Sequence, residues 1–578
     1  MHQTLKITLG QHSDKGVKAD NQDFLGSRLP KNSLLLIKGI AVAMADGISS
    51  SQVSQIASET AIRSFLEDYY CTSETWSVKT SVKRVLSATN SWLHSQSLEG
   101  PDRYDINKGY VCTVSALVIK NQTAHLFNLG DTRIYRLNHH GLEQLTHDHR
   151  LWGHSESGEN KSYLSRALGM NTECNIDYKA VPVAVGDIFI LATDGIYEFL
   201  TSQDISHSII DNPSNDLNDT AKHLVAQAIN NGSDDNLSIQ LVRIDEIPSE
   251  DTYTIKQDVA QLPFTPTLSA RMVFDGYKIL RVIHSSSRSH VYLAEDIETG
   301  KQVVIKAPAT DSSNDTDFLE RFLMEEWIAR RINNAHVLKA DLQDRQRNYI
   351  YTVFEYIEGQ TLAQWATDNP LPSIETVRGL VEQIAKGLQT FHRMEMLHQD
   401  LRPENIIIDK QGTVKIIDFG SVSVAGLQET MAERPATFLL GTALYSAPEY
   451  FLGDIGSTRS DLFSLGVITY FLLTGKYPYG THVARTKTLS GQKKLHYQTV
   501  LNEDRAIPSW IDDAIRKAVC PLPERRYEEL SEFMQDLRKP NKAFLNKTRP
   551  PLAESNPVAL WQGISFILAV IIIYLLSR

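Results

Sequence analysis

A chain of 578 residues is too long for a single hydrophobic core, and its 42% hydrophobic and 22% charged residues are ordinary for globular protein, so more than one domain is expected. The net charge of −11 comes with no basic half or stripe, which argues against nucleic acid as a partner. The cysteines Cys71, Cys112, Cys174 and Cys520 stand singly without metal-ligand spacing, which favours a reducing compartment.

Residues 1–245 are predicted to form mostly short strands, with helices near residues 51–69 and 80–97. Two apolar runs in this part end in the same way. Residues 40–45 lead into Asp46-Gly47, and residues 188–193 lead into Asp194 and a further glycine. A strand that ends in Asp-Gly carries a carboxylate to the edge of a sheet, and the glycine lets the backbone turn or its carbonyl approach a cation.

Three further aspartates accompany these pairs. Asp23 follows an Asn-Gln pair, Asp131 lies in the hairpin-like pattern of residues 129–133, and Asp235 precedes a strand at residues 237–243. Carboxylates that converge on one edge repel each other unless divalent cations neutralise them, and hard oxygen ligands select Mg²⁺ or Mn²⁺.

The order of these motifs over residues 5–245, with residues 164–169 (LSRALG), resembles that of the metal-dependent serine/threonine phosphatases of type 2C. The resemblance implies an αββα sandwich with a binuclear Mn²⁺ or Mg²⁺ centre at one end, whose metals activate a bridging water for in-line attack on phosphorus. The implied ligands are Asp46 for both metals, the Gly47 carbonyl for the second, Asp194 with Asp235 for the first, and Asp131 for a third metal that some bacterial members bind.

This stretch departs from the family pattern at two positions. Lys18 stands where the family often has an arginine that grips the substrate phosphate, and a lysine offers charge without the fork. Gln22 stands where many members have a glutamate near the second metal, which leaves Asp23 as the acid of that motif. Weaker binding of the substrate phosphate or of the second metal is expected.

Residues 247–272 contain several prolines and many polar residues and are predicted to be a linker. From Phe274 onward the pattern is strands first and long helical periodicity after Ser373, as in a small β-rich lobe followed by a larger helical one.

Residues 397–405, LHQDLRPEN, place an acid, a base and an amide in a fixed order. Asp418-Phe419-Gly420 follows this stretch after an apolar run, and Ala447-Pro448-Glu449 closes a long polar segment. Three motifs in this order resemble the active site of a protein kinase.

That resemblance assigns roles to several residues. Lys306, which ends the strand pattern Val303-Val304-Ile305, would hold the α- and β-phosphates of ATP, with Glu325 or Glu326 as its partner. The other implied roles are the substrate-hydroxyl base for Asp400, Mg²⁺ ligation for Asn405 and Asp418, a position near the γ-phosphate for Arg402, scaffolding for Asp461, and an ion pair with Glu449 for Arg526. The hydroxyls Ser421, Ser423, Thr430, Thr437 and Thr442 lie where kinases often phosphorylate themselves.

The kinase pattern fails at the glycine-rich loop, where His284, Ser286 and Ser289 occupy the three glycine positions. Glycines let backbone N–H groups approach phosphates closely, so a stiffer lid that holds ATP less tightly is expected. Gln399 replaces the arginine that usually couples an activation-loop phosphate to the catalytic loop, so activation should not depend on that coupling.

Residues 540–557 form a basic, proline-bearing connector, and residues 558–576 are almost uninterruptedly apolar. A helix of that length is about 28 Å long, close to the bilayer core of roughly 30 Å, so one transmembrane helix is predicted. The basic residues Arg538, Lys539, Lys542, Lys547 and Arg549 just upstream predict that both preceding domains face the cytoplasm from the inner membrane.

The sequence thus predicts a bifunctional multidomain α+β enzyme anchored in a bacterial membrane, with a phosphatase domain at 1–246 and a bilobal kinase domain at 273–539. Its expected partners are phosphoprotein and protein substrates and ATP. The alternative is an active phosphatase regulated by a nucleotide-binding pseudokinase. The missing glycines favour that alternative, whereas Lys306, Asp400, Asn405 and Asp418 together disfavour it. A membrane scaffold without activity would leave these residues unexplained.

Overall fold

The structure is a computed structural model that describes residues 4–100, 103–154, 160–211, 216–248, 262–309, 316–341, 345–429, 443–501, 506–545, 561–562 and 564–565. These residues fall into two compact units. The first unit is drawn from residues 1–255, 394–396 and 423–434, and the second from residues 256–393, 397–422 and 435–578.

The first unit contains two antiparallel sheets and helices on their outer faces. Its strands are β1 Lys6–Asp14, β2 Asp23–Arg28, β3 Ile40–Asp46, β4 Val114–Lys120, β5 Thr123–Leu129, β6 Arg133–Asn138, β7 Gly141–Gln144, β8 Arg150–His154, β9 Asn160–Leu164, β10 Asp177–Pro182, β11 Ile188–Ala192 and β12 Leu237–Glu246. Its helices are α1 Asn32–Lys38, α2 Ser54–Cys71, α3 Val78–Glu99, α4 Asp194–Tyr197, α5 Ser202–Ile210 and α6 Leu217–Asn230. The sheet orders are β1-β12-β11-β6-β7 and β10-β5-β4-β3-β2. The helices predicted near 51–69 and 80–97 correspond to α2 and α3.

The alternation of side chains along β3 explains why this strand is apolar throughout. Ala41, Ala43 and Ala45 pack in a cluster with α2 and α3, whereas Val42 and Met44 point into the core between the two sheets. Successive side chains of a strand point to opposite faces, so a strand covered on both faces needs apolar residues at every position. Helices α5 and α6 cover the other sheet in the same way. The predicted αββα sandwich is therefore confirmed.

The hairpin predicted around residues 129–133 is wrong. Strand β5 pairs with β4 and β10, whereas β6 pairs with β11 and β7, so the chain crosses from one sheet to the other here. Gly130 makes the crossing with a φ of 118°, and a Cβ at this position would lie 2.5 Å from Cβ of Thr113. Only glycine accepts both the conformation and the close approach.

The later part of the chain begins with strands and continues with helices. Its strands are β13 Val273–Phe274, β14 Tyr277–Ser285, β15 Ser289–Asp296, β16 Gln302–Pro308, β17 Thr352–Glu355, β18 Gly359–Thr361, β19 Met396–Leu397, β20 Ile406–Asp409, β21 Val414–Ile416 and β22 Ser423–Val424. Its helices are α7 Thr316–Arg331, α8 Leu362–Asp368, α9 Ile374–Arg393, α10 Ala425–Gln428, α11 Thr458–Thr474, α12 Leu489–Gln492, α13 Ser509–Ala518, α14 Leu530–Arg538 and α15 Lys542–Leu545. Strand β22, helix α10 and the start of β19 belong to the first unit.

In the second unit, strands β13 to β17 form one sheet in chain order, and β18, β20 and β21 form a smaller one. Helix α9 buries Leu380, Val381 and Ile384, and α11 is buried along most of its length. The predicted order of a β-rich part followed by a helical part is confirmed.

The predicted linker 247–272 lies only partly within the described residues, since residues 249–261 fall outside them. At its far end, Thr265 Oγ1 donates to the Ile350 carbonyl at 2.7 Å, and Leu268 is buried. This end of the segment is therefore packed into the second unit. Of the predicted connector 540–557, residues 546–557 lie outside the described residues.

The late segment at residues 423–429 is held in the first unit by a buried lysine. Lys120 Nζ donates to the Gly426 carbonyl at 2.5 Å and forms an ion pair with Glu429 at 3.2 Å. Glu429 also accepts a hydrogen bond from the backbone N–H of Val78. An ammonium buried without a partner is strongly unfavourable. The contacts that Gly426 and Glu429 make with Lys120 therefore stabilise the first unit.

The prediction of a transmembrane helix over residues 558–576 is wrong. Among the residues that the structure describes, no helix has both the length and the apolar character needed to cross a bilayer. A span needs about 20 consecutive helical residues, whereas the described helical positions in this stretch are 561–562 and 564–565, and the other residues of the stretch lie outside the described part. The expected single-pass placement in the inner membrane, with a membrane partner for the C-terminal helix, depended on this helix and is therefore wrong as well.

Candidate active sites

The aspartates predicted as metal ligands lie at the ends of strands in the first unit. Asp23 begins β2 and Asp46 ends β3, and the two residues are paired across these neighbouring strands. Asp194 lies two residues after the end of β11 and is the first residue of helix α4, and Asp235 lies two residues before β12. Strand ends from both sheets therefore bring carboxylates to one region.

Burial and mutual repulsion raise the pKa values of several carboxylates in this region. Burial raises the pKa of Asp23 to about 6 and that of Asp194 to about 7. Burial also raises the pKa of Asp46 well above its usual range, and the charges of Asp23, Asp194, Asp131 and Asp235 add to the effect. A pKa rises in this way when carboxylates are buried close together and neighbouring cations do not fully neutralise them.

One carboxylate oxygen at this site has no hydrogen-bond partner. Asp23 is buried, its Oδ2 accepts a hydrogen bond from Thr193 Oγ1 at 3.0 Å, and its Oδ1 is unpaired. An unpaired buried carboxylate oxygen is strongly unfavourable in protein, but it is a good ligand for a hard divalent cation. Within the described part of the chain, no three acidic, histidine or cysteine side chains are already drawn together as a finished ligand set. The donor chemistry, with carboxylate oxygens of which one is buried and unpaired, fits Mn²⁺ or Mg²⁺.

An arginine that the sequence analysis missed lies among these acids. Arg150, the first residue of β8, donates from Nε to Asp131 at 2.5 Å, from Nη2 to Asp194 at 3.0 Å and from Nη1 to Glu198 at 2.6 Å. No motif or spacing marks Arg150 in the sequence, because the three carboxylates come from separate parts of the chain. Thr193, which holds Asp23, was missed for the same reason.

The two positions that depart from the phosphatase pattern have defined surroundings. Lys18 Nζ lies 3.3 Å from Asp235 Oδ1, and its side chain is partly exposed. The Gln22 side-chain amide donates to the Ser51 carbonyl and to Ser54 Oγ at 2.8 and 2.7 Å. Lys18 thus stands at the rim of the acidic region, whereas Gln22 anchors the loop before α2.

Gly47 lies directly behind Asp46 in a position without room for a side chain. A Cβ on Gly47 would lie 2.8 Å from the Ser54 carbonyl oxygen, and the Gly47 N–H donates to the Gln22 carbonyl at 3.2 Å. The glycine therefore allows the close packing of this turn against α2.

In the second unit, Lys306 of β16 is paired with α7. Lys306 Nζ donates to both carboxylate oxygens of Glu325, at 2.6 and 2.7 Å, and lies 3.9 Å from Asp418. Burial acts to lower the pKa of Lys306, but the charges of Glu325 and Asp418 outweigh it and raise that pKa. Glu326 instead pairs with Arg330 and Arg347. The partner of Lys306 is therefore Glu325.

The loop that carries Asp400 is anchored by Asp461 of α11. The Asp461 carboxylate accepts hydrogen bonds from the backbone N–H groups of His398 and Gln399, both at 2.9 Å. Gln399 has a φ of 63°, which is unfavourable for a residue with a side chain, and these bonds stabilise it. Asp461 was predicted to be a scaffold residue, and these two hydrogen bonds are the contacts through which it holds the loop.

Asp400 and Asn405 contact each other directly. Asn405 Nδ2 donates to the Asp400 carbonyl at 2.9 Å and to Asp400 Oδ2 at 3.0 Å. Burial raises the pKa of Asp400 to about 6. Arg402 Nε lies 3.7 Å from Asp400 Oδ2. These side chains therefore form one polar group on the loop between β19 and β20.

Asp418 lies next to Lys306, and Phe419, the residue after it, is buried. Phe419 packs against Phe391 of α9 with ring centroids 5.5 Å apart. Burial acts to raise the pKa of Asp418, but the Lys306 ammonium outweighs it, so that pKa lies below its ordinary value. Asp418 is therefore held as a carboxylate next to Lys306.

The predicted ion pair between Arg526 and Glu449 is confirmed. Arg526 donates from Nη1 and Nη2 to the two Glu449 oxygens at 2.7 and 2.6 Å, and both side chains are buried. Two parallel bonds of this kind fix both the distance and the orientation of the partners.

The loop that lacks glycines is a tight turn between β14 and β15. Ser286 Oγ accepts hydrogen bonds from the N–H groups of Arg288 and Ser289, at 3.3 and 3.1 Å. The Ser286 N–H donates to the Ser289 carbonyl at 3.0 Å. Backbone donors that a glycine-rich loop would offer to phosphate are thus bonded within the turn.

Comparison with known proteins finds two family models that match separate parts of this chain. Residues 11–242 match the family model for protein phosphatase 2C, and residues 277–540 match the model for the protein kinase domain. The serine/threonine-protein kinase PrkC of Bacillus subtilis is 31% identical over 274 residues, covering 47% of this chain and 41% of that protein. The probable serine/threonine-protein kinase PknB of Lactococcus lactis is 27% identical over 269 residues, covering 46% of this chain and 42% of that protein. This chain thus spans less than half the length of these curated relatives.

Among solved structures, the catalytic domain of the serine/threonine phosphatase PstP in complex with 2 manganese ions is 21% identical, with a TM-score of 0.34 and coverage of 42% of this chain and 100% of that one. Together, the two family matches identify the domains. The chain carries a protein phosphatase 2C domain followed by a protein kinase domain.

Proposed function

We propose that this protein is a bifunctional signalling enzyme that removes phosphate from phosphoserine and phosphothreonine in proteins and transfers the γ-phosphate of ATP to serine and threonine of proteins. Two observations support it. The first is the unpaired buried oxygen of Asp23 within a repelling group of carboxylates. The second is the charged pair of Lys306 and Glu325 beside Asp418.

For the phosphatase, the residues proposed to hold Mn²⁺ or Mg²⁺ are Asp23, Asp46, Asp194, Asp235 and the carbonyl of Gly47. Bound metal would supply an activated water for attack on phosphorus. Lys18, at the rim of this region, would attract the substrate phosphate by its charge. Thr193 orients Asp23 by its hydrogen bond.

For the kinase, Lys306 is proposed to bind the α- and β-phosphates of ATP, and Glu325 to hold Lys306 in place. Asn405 and Asp418 would hold Mg²⁺. Asp400 would accept the proton of the substrate hydroxyl, which requires its carboxylate form, and Arg402 would lie near the transferred phosphate.

The test measures both activities on the full chain. Phosphate release from a phosphothreonine peptide with Mn²⁺ and transfer from labelled ATP with Mg²⁺ to an acceptor protein are followed in parallel. Asp46→Asn should abolish release and leave transfer intact, and Asp400→Asn should do the reverse. Loss of both activities in either variant, with a folded protein by circular dichroism, would contradict separate active sites.

A second candidate is a phosphatase controlled by a nucleotide-binding pseudokinase. It is favoured by the turn at Ser286, which uses backbone donors that would otherwise reach phosphate. Binding of ATP without transfer to any acceptor protein would favour this candidate. Transfer that Asp400→Asn abolishes would exclude it.

A further inference from the structure

Arg150 bridges carboxylates from three parts of the first unit. Its three guanidinium nitrogens donate to Asp131, Asp194 and Glu198 at 2.5, 3.0 and 2.6 Å. The arginine side chain is only 19% exposed. A guanidinium is charged at every relevant pH and planar, so three such bonds fix both the charge and the orientation of its partners.

The backbone of Arg150 is also fixed. It begins β8, and its Cα is paired with that of Leu164 in β9. The guanidinium therefore projects from an ordered strand end. A divalent cation that used both Asp131 Oδ2 and Asp194 Oδ2 would have to displace it, because those two oxygens are the atoms that Arg150 binds.

The formal charges around Arg150 also agree with two divalent cations rather than three. The carboxylates of this region and its border are Asp23, Asp46, Asp131, Asp194, Glu198 and Asp235. Arg150 and Lys18 are the side-chain cations paired with them in the described structure. Six negative and two positive side chains give a net formal charge of −4. Two divalent cations would neutralise this charge, and a third would make the region positively charged.

We propose that Arg150 takes the place of a third divalent cation between Asp131 and Asp194, so that the phosphatase centre of this chain binds two metal ions. This inference rests on the proposed phosphatase function. Arg150 is a positioning residue: it holds Asp194 in the orientation needed for metal binding and neutralises Asp131.

The experiment counts bound Mn²⁺ per chain by isothermal titration calorimetry and native mass spectrometry, without nucleotide. Every protein carries Asp418→Asn, so that the kinase domain does not contribute a site. Arg150→Met removes the charge and keeps much of the length, and Arg150→Lys keeps the charge. Arg136→Met is the matched control, since the Arg136 side chain is equally exposed and pairs with Glu143 away from these acids.

The parent, Arg150→Lys and Arg136→Met should each bind two Mn²⁺ ions, and Arg150→Met should bind three. Asp131→Asn in the parent should leave the count at two, whereas Asp131→Asn added to Arg150→Met should return it from three to two. Hydrolysis of a phosphothreonine peptide is recorded in parallel.

A parent that binds three ions, or an Asp131→Asn parent that loses one, would overturn the inference. So would a folded Arg150→Met protein that still binds two. If Arg150→Met does not fold, the Asp131→Asn result in the parent decides. These failures leave Mn²⁺ binding and hydrolysis in place, whereas a parent that neither binds Mn²⁺ nor hydrolyses the peptide would refute the proposed function itself.

Discussion

Lys306 of strand β16 donates hydrogen bonds to both carboxylate oxygens of Glu325 in helix α7, at 2.6 and 2.7 Å. The pair connects the sheet of the second unit to its helix, and Asp418 lies 3.9 Å from the same ammonium. A protein kinase needs this lysine charged and fixed beside the metal-binding aspartate. The arrangement therefore fits the proposed kinase activity.

Glu325→Gln should lower phosphate transfer by about 10- to 100-fold, because it removes a charge-assisted bond worth about 1.5–3 kcal/mol. The measurement is kcat/KM for transfer from ATP. Glu326→Gln is the matched neighbour. Glu326 contacts Arg347 and Arg330 rather than Lys306, so it should affect thermal stability more than transfer. Equal losses of transfer in both variants would contradict the role of Glu325.

Asp194→Ala or Asp235→Ala should abolish Mn²⁺-dependent hydrolysis of phosphoserine and phosphothreonine peptides, since each would remove a ligand of the same metal. Removal of metal with a chelator should have the same effect on the unmodified protein, and added Mn²⁺ should restore it. Kinase activity, assayed with Mg²⁺, should survive both substitutions. Full hydrolysis by either variant at limiting Mn²⁺ would refute the binuclear assignment.

The unmodified protein should show little stable autophosphorylation with Mg²⁺-ATP, because a phosphatase domain in the same chain acts on such phosphates at high effective concentration. Asp194→Asn should accumulate phosphate, and Asp194→Asn with Asp400→Asn should not. The candidate acceptors include Ser421 and Ser423; Thr430, Thr437 and Thr442 lie outside the described residues. An unlabelled but folded Asp194→Asn protein over a wide range of ATP concentrations would contradict autophosphorylation.

Ser286→Gly should tighten ATP binding several-fold, because it frees the N–H groups of Arg288 and Ser289 for phosphate and relaxes the turn. Calorimetric titration with ATP and Mg²⁺ measures the change. Ser285→Gly is the control, since Ser285 Oγ bonds the His290 ring and not the turn. No gain for Ser286→Gly over this control would mean that the turn does not limit nucleotide binding.

The stability of the first unit should rise with pH between about 8 and 10.5, in part through Lys38. Burial lowers the pKa of Lys38 to about 8, the charge of Lys120 contributes in the same direction, and Glu74 and Glu429 oppose it. The folded state then releases a proton in this range while the unfolded state, near 10.5, retains it, so rising pH favours folding. Denaturant titrations should show a steeper rise in the unmodified protein than in Lys38→Met. Identical slopes would show that Lys38 titrates normally in the folded state.

The sequence by itself determined the features that are local in the chain. The apolar runs ending in Asp46 and Asp194 are strands, because a strand buried on both faces needs apolar residues at every position. The sequence also predicted that the phosphatase motifs precede the kinase motifs. It predicted the ion pair between Arg526 and Glu449 as well, because both residues belong to recognisable motifs.

Only the tertiary structure decided what depends on contacts between distant residues. Residues 129–133 look like a hairpin because their period is that of strands, yet the chain crosses between sheets there, and strand period alone does not name a partner. The choice of Glu325 over Glu326 depended on the direction in which each side chain leaves α7. Arg150 has no signal in the sequence, because its role comes from three carboxylates that folding brings to its guanidinium.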